Sequence, residues 1–155
     1  MRVYWDESGI DSCLHREYAY APRGEKAYGT VAGKRYQREN LIAAKRGDQI
    51  IAPMQYDGTT DAALVEYWFE RQLLPLPPDG AVVILDNAAF HRGEKLREII
   101  ANHRRDVRIL FLPPYSPELN PIEKVWAIIK HWLKMNIHRF NSLDDAISAA
   151  FASLF

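Results

Sequence analysis

The stretch that most constrains the fold is the apolar run Ala81–Leu85, which leads directly into Asp86 and Asn87. Three of its five residues are β-branched, and a short run of this kind is typical of a strand buried on both faces. In open α/β sheets, ligands and catalytic groups collect at the carboxyl ends of such strands. Asp86 is therefore a candidate metal ligand, and the alternative is that it caps the helix that follows.

The rest of the chain predicts further strands and helices around this run. The strands are expected at residues 2–5, 17–21, 36–44, 49–55 and 107–112, and the helices at 61–74, 91–104, 121–135 and 142–154. In the predicted order, several strands come first and strands then alternate with helices, which indicates an α/β fold. Its mixed central sheet combines an antiparallel three-stranded meander with parallel strands and is flanked by helices.

Composition narrows the classes of protein and site. A chain of 155 residues with a formal net charge of zero is typical of one ordinary globular domain. The single cysteine, Cys13, excludes an internal disulfide and a cysteine-rich zinc site. Neither a signal peptide nor a run of eighteen apolar residues is present, so a cytoplasmic protein is expected.

Positive charge is concentrated in one segment, between Arg23 and Arg46. It holds seven basic residues against two acidic ones, a local excess of five. The basic residues are Arg23, Lys26, Lys34, Arg35, Arg38, Lys45 and Arg46. Such a segment can follow a phosphate backbone, or it can be the solvated surface of a hairpin, and charge alone leaves both open.

A second acidic candidate, Asp6, follows the first predicted strand. Side chains alternate across a strand, so Asp6 and Glu7 should point to opposite faces and only one of them can enter a given site. If this strand lies parallel to and beside the central one, Asp6 and Asp86 emerge at the same edge of the sheet.

The third acidic candidate, Glu123, lies in the first turn of a helix. Asn120 suits the N-cap and Pro121 the first helical position, so Glu123 either closes a capping box with Asn120 or faces a cleft from the rim of the buried stripe. Three carboxylates on separate elements suit hard divalent cations. A pair of such ions supports in-line phosphoryl displacement.

Three motifs resemble the catalytic domain of DDE transposases, in the branch of bacterial insertion sequences and mariner-type elements. They are YWDESG at residues 4–9, LDNAAFH at 85–91 and LPPYSPELNPIE at 112–123. Asp86 and Glu123 are 123 − 86 = 37 positions apart, close to the separation in that branch. The resemblance spans nearly the whole chain.

This resemblance implies an RNase H-like fold shared with retroviral integrases, in which Asp6, Asp86 and Glu123 bind two magnesium or manganese ions. It also implies an enzyme that cleaves DNA at the ends of a mobile element with a metal-activated water. The freed 3′-hydroxyl then attacks target DNA. The expected partners are double-stranded DNA, both element ends and target, and a second copy of the chain in a homodimeric DNA complex.

The same resemblance predicts one catalytic domain over residues 1–155, without the helix-turn-helix domains that usually precede the first aspartate. The chain is then a separately translated half, a truncated remnant or an excised piece. Candidate DNA-binding residues are five from the basic segment and three near the catalytic elements. They are Arg23, Lys26, Lys34, Arg35, Arg38, His91, Tyr115 and Lys130.

Two alternatives remain open at this stage. One is a nuclease of the same fold that only hydrolyses nucleic acid. The other is a remnant that binds DNA or a protein without turnover. The tryptophans Trp5, Trp126 and Trp132 are expected in the core.

Overall fold

The computed structural model describes residues 1–12, 21–26, 37–87 and 94–155, and its central feature is a five-stranded mixed sheet. The strands are β1 (Arg2–Asp11), β2 (Arg38–Arg46), β3 (Gln49–Tyr56), β4 (Ala81–Leu85) and β5 (Val107–Phe111). Their spatial order is β3-β2-β1-β4-β5. The first three strands pair antiparallel, and β1, β4 and β5 run parallel. This confirms the predicted combination of a meander with parallel strands.

Helices cover both faces of this sheet. They are α1 (Ala62–Trp68), which continues as a π-helical turn over Phe69–Leu73, α2 (Glu94–Asn102), α3 (Ile122–Asn136) and α4 (Leu143–Leu154). Short 3-10 turns at Pro117–Leu119 and Ile137–Arg139 precede and follow α3. None of the helices in the described ranges is long and apolar enough to cross a membrane.

Alternation along β1 divides the core into two layers. Val3 and Trp5 face α1 and α2, and Trp5 packs against Trp68 with ring centroids 4.9 Å apart. Ile10 faces the opposite layer, where α3 and α4 contribute Trp126, Ile129 and Ile147, among others. Asp6 belongs to the α3 side of the sheet, because it is an even-numbered residue like Ile10.

The first strand is longer than predicted. Residues 2–5 were expected to end at the acidic pair, but β1 continues to Asp11 and pairs with β2 as far as Arg38. Gly9 allows a close approach there, since a Cβ at this position would lie 2.5 Å from the Arg38 guanidinium. The predicted strand at 17–21 falls almost wholly outside the described residues, as does the predicted helix start at 91–93.

Candidate active site

Asp6 and Asp86 follow paired residues of neighbouring strands. Tyr4 of β1 pairs in parallel with Ile84 of β4, and each aspartate comes two residues later, Asp6 within β1 and Asp86 directly after the last residue of β4. Residues in register on parallel strands share a face, and neighbouring strands are about 4.8 Å apart. The predicted parallel pairing of the first and central strands is confirmed, and it brings the two aspartates to one side of the sheet.

Asn120 positions the start of α3 against β1. Its side-chain amide donates to the main-chain carbonyl of Trp5 over 3.1 Å, and its own carbonyl oxygen accepts from the Ile122 N–H. The Asn120 main-chain N–H donates to Pro117 instead, so it is not left for the Glu123 side chain. The capping-box alternative is therefore wrong, and Glu123 is exposed in the first helical turn.

One cleft, with a volume of about 400 Å³, contains all three candidate acids. Asp6, Asp86 and Glu123 line it together with Asn87, Asn120 and residues 112–117. Tyr115 in that loop is fully exposed and has a left-handed backbone, φ +57°. The cleft thus has carboxylates on the sheet and helix side and a proline-rich wall with an exposed aromatic ring opposite.

The pKa of the Asp6 carboxyl is raised well above its ordinary value. Burial raises its pKa to about 7, with further increases from the negative charges of Glu7 and Glu123. Two donors oppose this rise, the main-chain N–H of Glu7 and the indole of Trp126, whose Nε1 lies 3.1 Å from Asp6 Oδ2. A cation in the cleft would favour the ionised form for the same electrostatic reason.

Trp126 is a functional candidate that the sequence analysis missed. It was expected only in the core, and it is indeed 2% exposed within the α3 layer. Its indole N–H nevertheless reaches the Asp6 carboxylate. The available signal was its position three residues after Glu123, since residues at that spacing share one side of a helix.

The three carboxylates share the cleft without forming a ready ligand set. Within the described ranges, no three His, Cys, Asp or Glu side chains are grouped so that they could hold a metal ion. Asp86 and Glu123 are exposed, whereas Asp6 is half-buried. The chemistry of the donors, all carboxylate oxygens, fits a hard divalent cation.

The predicted DNA-binding residues are dispersed. Tyr115 lines the cleft, whereas Lys130 is half-buried two turns further along α3 and does not line it. Arg38 pairs with Asp11, on the face opposite Asp6. Arg23 and Lys26 are exposed in the described segment 21–26, and three further candidates, Lys34, Arg35 and His91, lie outside the described residues.

Comparison with known proteins identifies one family. The DDE superfamily endonuclease family matches residues 1–147. An uncharacterized protein of Sinorhizobium fredii, y4pE/y4sA, is 41% identical over 69 residues, which are 44% of this chain and 46% of that protein. The chain thus spans about half the length of this curated relative.

Solved structures show the same fold. The mariner Mos1 paired-end complex with Mg has a TM-score of 0.72 at 21% identity, over 96% of this chain and 48% of that one. The Mos1 strand transfer complex gives 0.70 at 20% identity, over 99% and 51%. A simian T-cell lymphotropic virus intasome gives 0.59 at 13% identity, over 96% and 46%. The predicted RNase H-like fold of transposases and integrases is confirmed.

Proposed function

We propose that this chain, which belongs to the DDE superfamily endonuclease family, is the catalytic domain of a transposase. In this proposal it cleaves DNA strands at the ends of a mobile element and joins them to target DNA. The observation that carries the proposal is the single cleft that Asp6, Asp86 and Glu123 all line. Acids from two parallel strands and one helix, all opening on one cleft, suit phosphoryl transfer better than structural capping.

Asp6, Asp86 and Glu123 are proposed to hold divalent cations, Mg²⁺ or Mn²⁺, two per site. Bound ions of this kind supply a nucleophile at neutral pH and stabilise the charge on the attacking and leaving oxygens. The raised pKa of Asp6 supports a cation site, because a buried carboxyl among other acids is stabilised in its ionised form by positive charge. Solved Mos1 paired-end complexes with Mg and with Mn support the same choice of ion.

The protein's own groups orient the acids and the DNA. Trp126 fixes the Asp6 carboxylate through its indole N–H, and Asn120 holds the first turn of α3, with Glu123, against β1. Holding an ion requires the three carboxylates to come closer together than they are in this structure. Tyr115 offers a fully exposed ring on which a base next to the reacting phosphate can stack.

The proposed partners are double-stranded DNA and a second copy of the chain. Mos1 forms a paired-end complex, and by analogy two copies of this chain would act on two element ends. Sedimentation of the protein with and without end-containing duplex tests this directly: a stoichiometry of two chains on two duplexes is expected, and one chain on one duplex contradicts it.

The function itself is tested with duplexes that carry the ends flanking the gene, incubated with a target plasmid and Mg²⁺ or Mn²⁺. Nicked and joined products are expected from the wild type and not from Asp86→Asn. Glu118→Gln is the matched control, because Glu118 is an exposed acid just before α3 that does not line the cleft.

Each other outcome rejects the transposase assignment. Equal activity of Asp86→Asn and the wild type excludes the proposed site. Cut products without joined ones favour a purely hydrolytic nuclease. No products, together with no heat of Mn²⁺ binding in calorimetric titration near neutral pH, favours a non-catalytic remnant.

A further inference from the structure

A second groove borders the start of α3 on the same side of the sheet as the acidic cleft. Its volume is about 760 Å³, and it lies between the beginning of β1 and the turn that joins β2 to β3. Arg2, Tyr4, Lys45, Arg46, Gln49 and Pro121 are among the residues that line it. Lys45 and Arg46 belong to the basic segment noted in the sequence, but the sequence did not group them with Arg2 or Tyr4.

Pairing within the sheet brings the basic residues of this groove together. Tyr4 of β1 lies opposite Lys45 of β2, and directly opposed residues share a face of an antiparallel pair. Arg2 precedes Tyr4 by two residues and therefore projects to the same face. Arg46, the last residue of β2, follows Lys45 directly and so leaves the strand toward the opposite face, but it also lines the groove, at the edge of the sheet.

The groove is strongly and uniformly positive. Three of its lining side chains are basic and none is acidic. The Arg46 guanidinium is held by two neutral acceptors, the Leu76 carbonyl at 3.3 Å and Gln49 Oε1 at 2.9 Å, so its charge is oriented but not neutralised. Asp48, in the β2–β3 turn, is the nearest acid in sequence, but its side chain lines a different depression beside Phe155.

The groove continues the acidic cleft. Tyr4 lines the groove and Asp6 lines the cleft, and they are two residues apart on one face of β1, about 6.8 Å. That distance corresponds to about two nucleotide steps along one strand of B-form DNA. At the start of α3, the N-cap residue Pro121 lines the groove and Glu123, in the first turn, lines the cleft.

We infer that this groove is a second DNA-binding site, in which Arg2, Lys45 and Arg46 hold the phosphate backbone of the duplex as it leaves the acidic cleft. The inference rests on the proposed function for the identity of the polyanion. Contacts between basic side chains and phosphates do not depend on the DNA sequence. The groove therefore binds the backbone rather than the bases, and it positions the duplex for the reaction at the acids.

The test is the salt dependence of DNA binding by the double variant Arg2→Ala, Lys45→Ala. Arg46 is left in place because it also bonds the Leu76 carbonyl. Affinity for a fluorescent 20-bp duplex is measured in EDTA between 50 and 200 mM KCl. Two lost phosphate contacts should flatten the slope of log affinity against log salt by about 1.8, equivalent to about 12-fold less loss of affinity over that range.

A matched control removes two exposed arginines from the other side of the sheet. Arg97→Ala, Arg104→Ala changes the net charge equally, and α2 packs in the layer of Trp5 rather than of α3. The control should keep the wild-type slope. A slope of the groove variant equal to that of the wild type, or an equal change in both variants, overturns the inference.

The readout also separates this inference from the proposed function. Binding is measured without metal, so it does not depend on catalysis. If the slope is flattened but the protein never cuts DNA, the groove is still a DNA-binding site and the proposed transposase activity is rejected. If the protein cuts and joins DNA with metal but the slope is unchanged, the proposed activity stands and the groove is not a DNA-binding site. The comparison requires that the two double variants unfold at the same temperature. If their unfolding temperatures differ, the double variant Arg2→Gln, Lys45→Gln replaces the alanine pair.

Discussion

The side-chain amide of Asn120 donates a hydrogen bond of 3.1 Å to the main-chain carbonyl of Trp5, across 115 positions of sequence. Both residues are buried, and each is close in sequence to an acid of the cleft. Trp5 precedes Asp6, and Asn120 begins the turn that carries Glu123. This one bond therefore sets the separation between an acid on the sheet and an acid on a helix.

Asn120→Ala should lower both stability and activity. The substitution leaves a buried carbonyl without its side-chain donor, which costs about 1–3 kcal/mol of unfolding free energy, and releases the first turn of α3. The matched control is Asn136→Ala, which removes an amide-to-carbonyl bond of 2.9 Å within α3. Urea unfolding and DNA nicking should show a loss of nicking only for Asn120→Ala; a similar loss for both variants contradicts the positioning role.

Trp126→Phe should weaken metal use while it keeps an aromatic ring in the core. The indole N–H stabilises the ionised form of Asp6 and lowers its pKa, so its removal raises that pKa further. The Mg²⁺ concentration for half-maximal nicking should rise, and the pH profile should move to higher pH. Trp132→Phe, on the same helix and half-buried, should leave both unchanged; an unshifted profile in Trp126→Phe excludes a role in orienting Asp6.

Asp6→Asn should stabilise the metal-free protein at high pH. The folded-state pKa of Asp6 is about 7, against an ordinary value of 3.8 for an aspartate, so the folded state binds an extra proton between these pH values. The stability that this proton contributes is fully present below about pH 4 and is lost as the pH rises through 7.

In EDTA, the variant should therefore be about 2 kcal/mol more stable than the wild type at pH 8, allowing for partial solvent screening, and equal to it near pH 4. Thermal unfolding at the two pH values measures this difference. Asp11→Asn, at the exposed end of the same strand and outside the cleft, is the control. A difference that is constant with pH rules out the raised pKa.

Mg²⁺ should stabilise the wild type but not Glu123→Gln. An ion that binds only the folded state adds about 2.7 kcal/mol at a concentration 100 times its Kd, and this gain requires the complete acidic set. Glu118→Gln should behave like the wild type, because Glu118 does not line the cleft. Melting curves in EDTA and in MgCl₂ give the comparison, and a full Mg²⁺ shift in Glu123→Gln removes Glu123 from the ligand set.

Sequence alone predicted the elements whose signals are local. The strand before Asp86 and the helix after Asn120 are defined by short apolar patterns, and both occur where expected. The predicted cap was one residue off, because α3 begins at Ile122 with Pro121 rather than Asn120 as its N-cap. The predicted end of β1 was wrong. Ser8 and Gly9 suggest a turn, whereas pairing with the distant β2 keeps the chain extended to Asp11.

Contacts between distant residues could not be predicted. The bond from Trp126 to Asp6 spans 120 positions; the spacing from Glu123 places Trp126 on the same side of α3, but no local pattern indicates that its indole N–H meets Asp6. The basic segment shows the same limit. Arg38 and Lys45 belong to one run of charge in sequence, but they pair with opposite ends of β1 and project to opposite faces of the sheet. The positive surface of the groove instead requires Arg2, from outside that run.

The central position of β1 has a consequence for where the proposed enzyme would cut DNA. The strand pairs with β4 over Arg2–Tyr4 and with β2 over Tyr4–Asp11, which keeps the backbone between Tyr4 and Asp6 extended. In the proposed complex, the offset between the phosphate held in the groove and the phosphate at the acids is therefore set by two peptide units. One residue inserted between Tyr4 and Asp6 would turn the carboxylate to the opposite side of the sheet, and the duplex would be held where nothing can cut it.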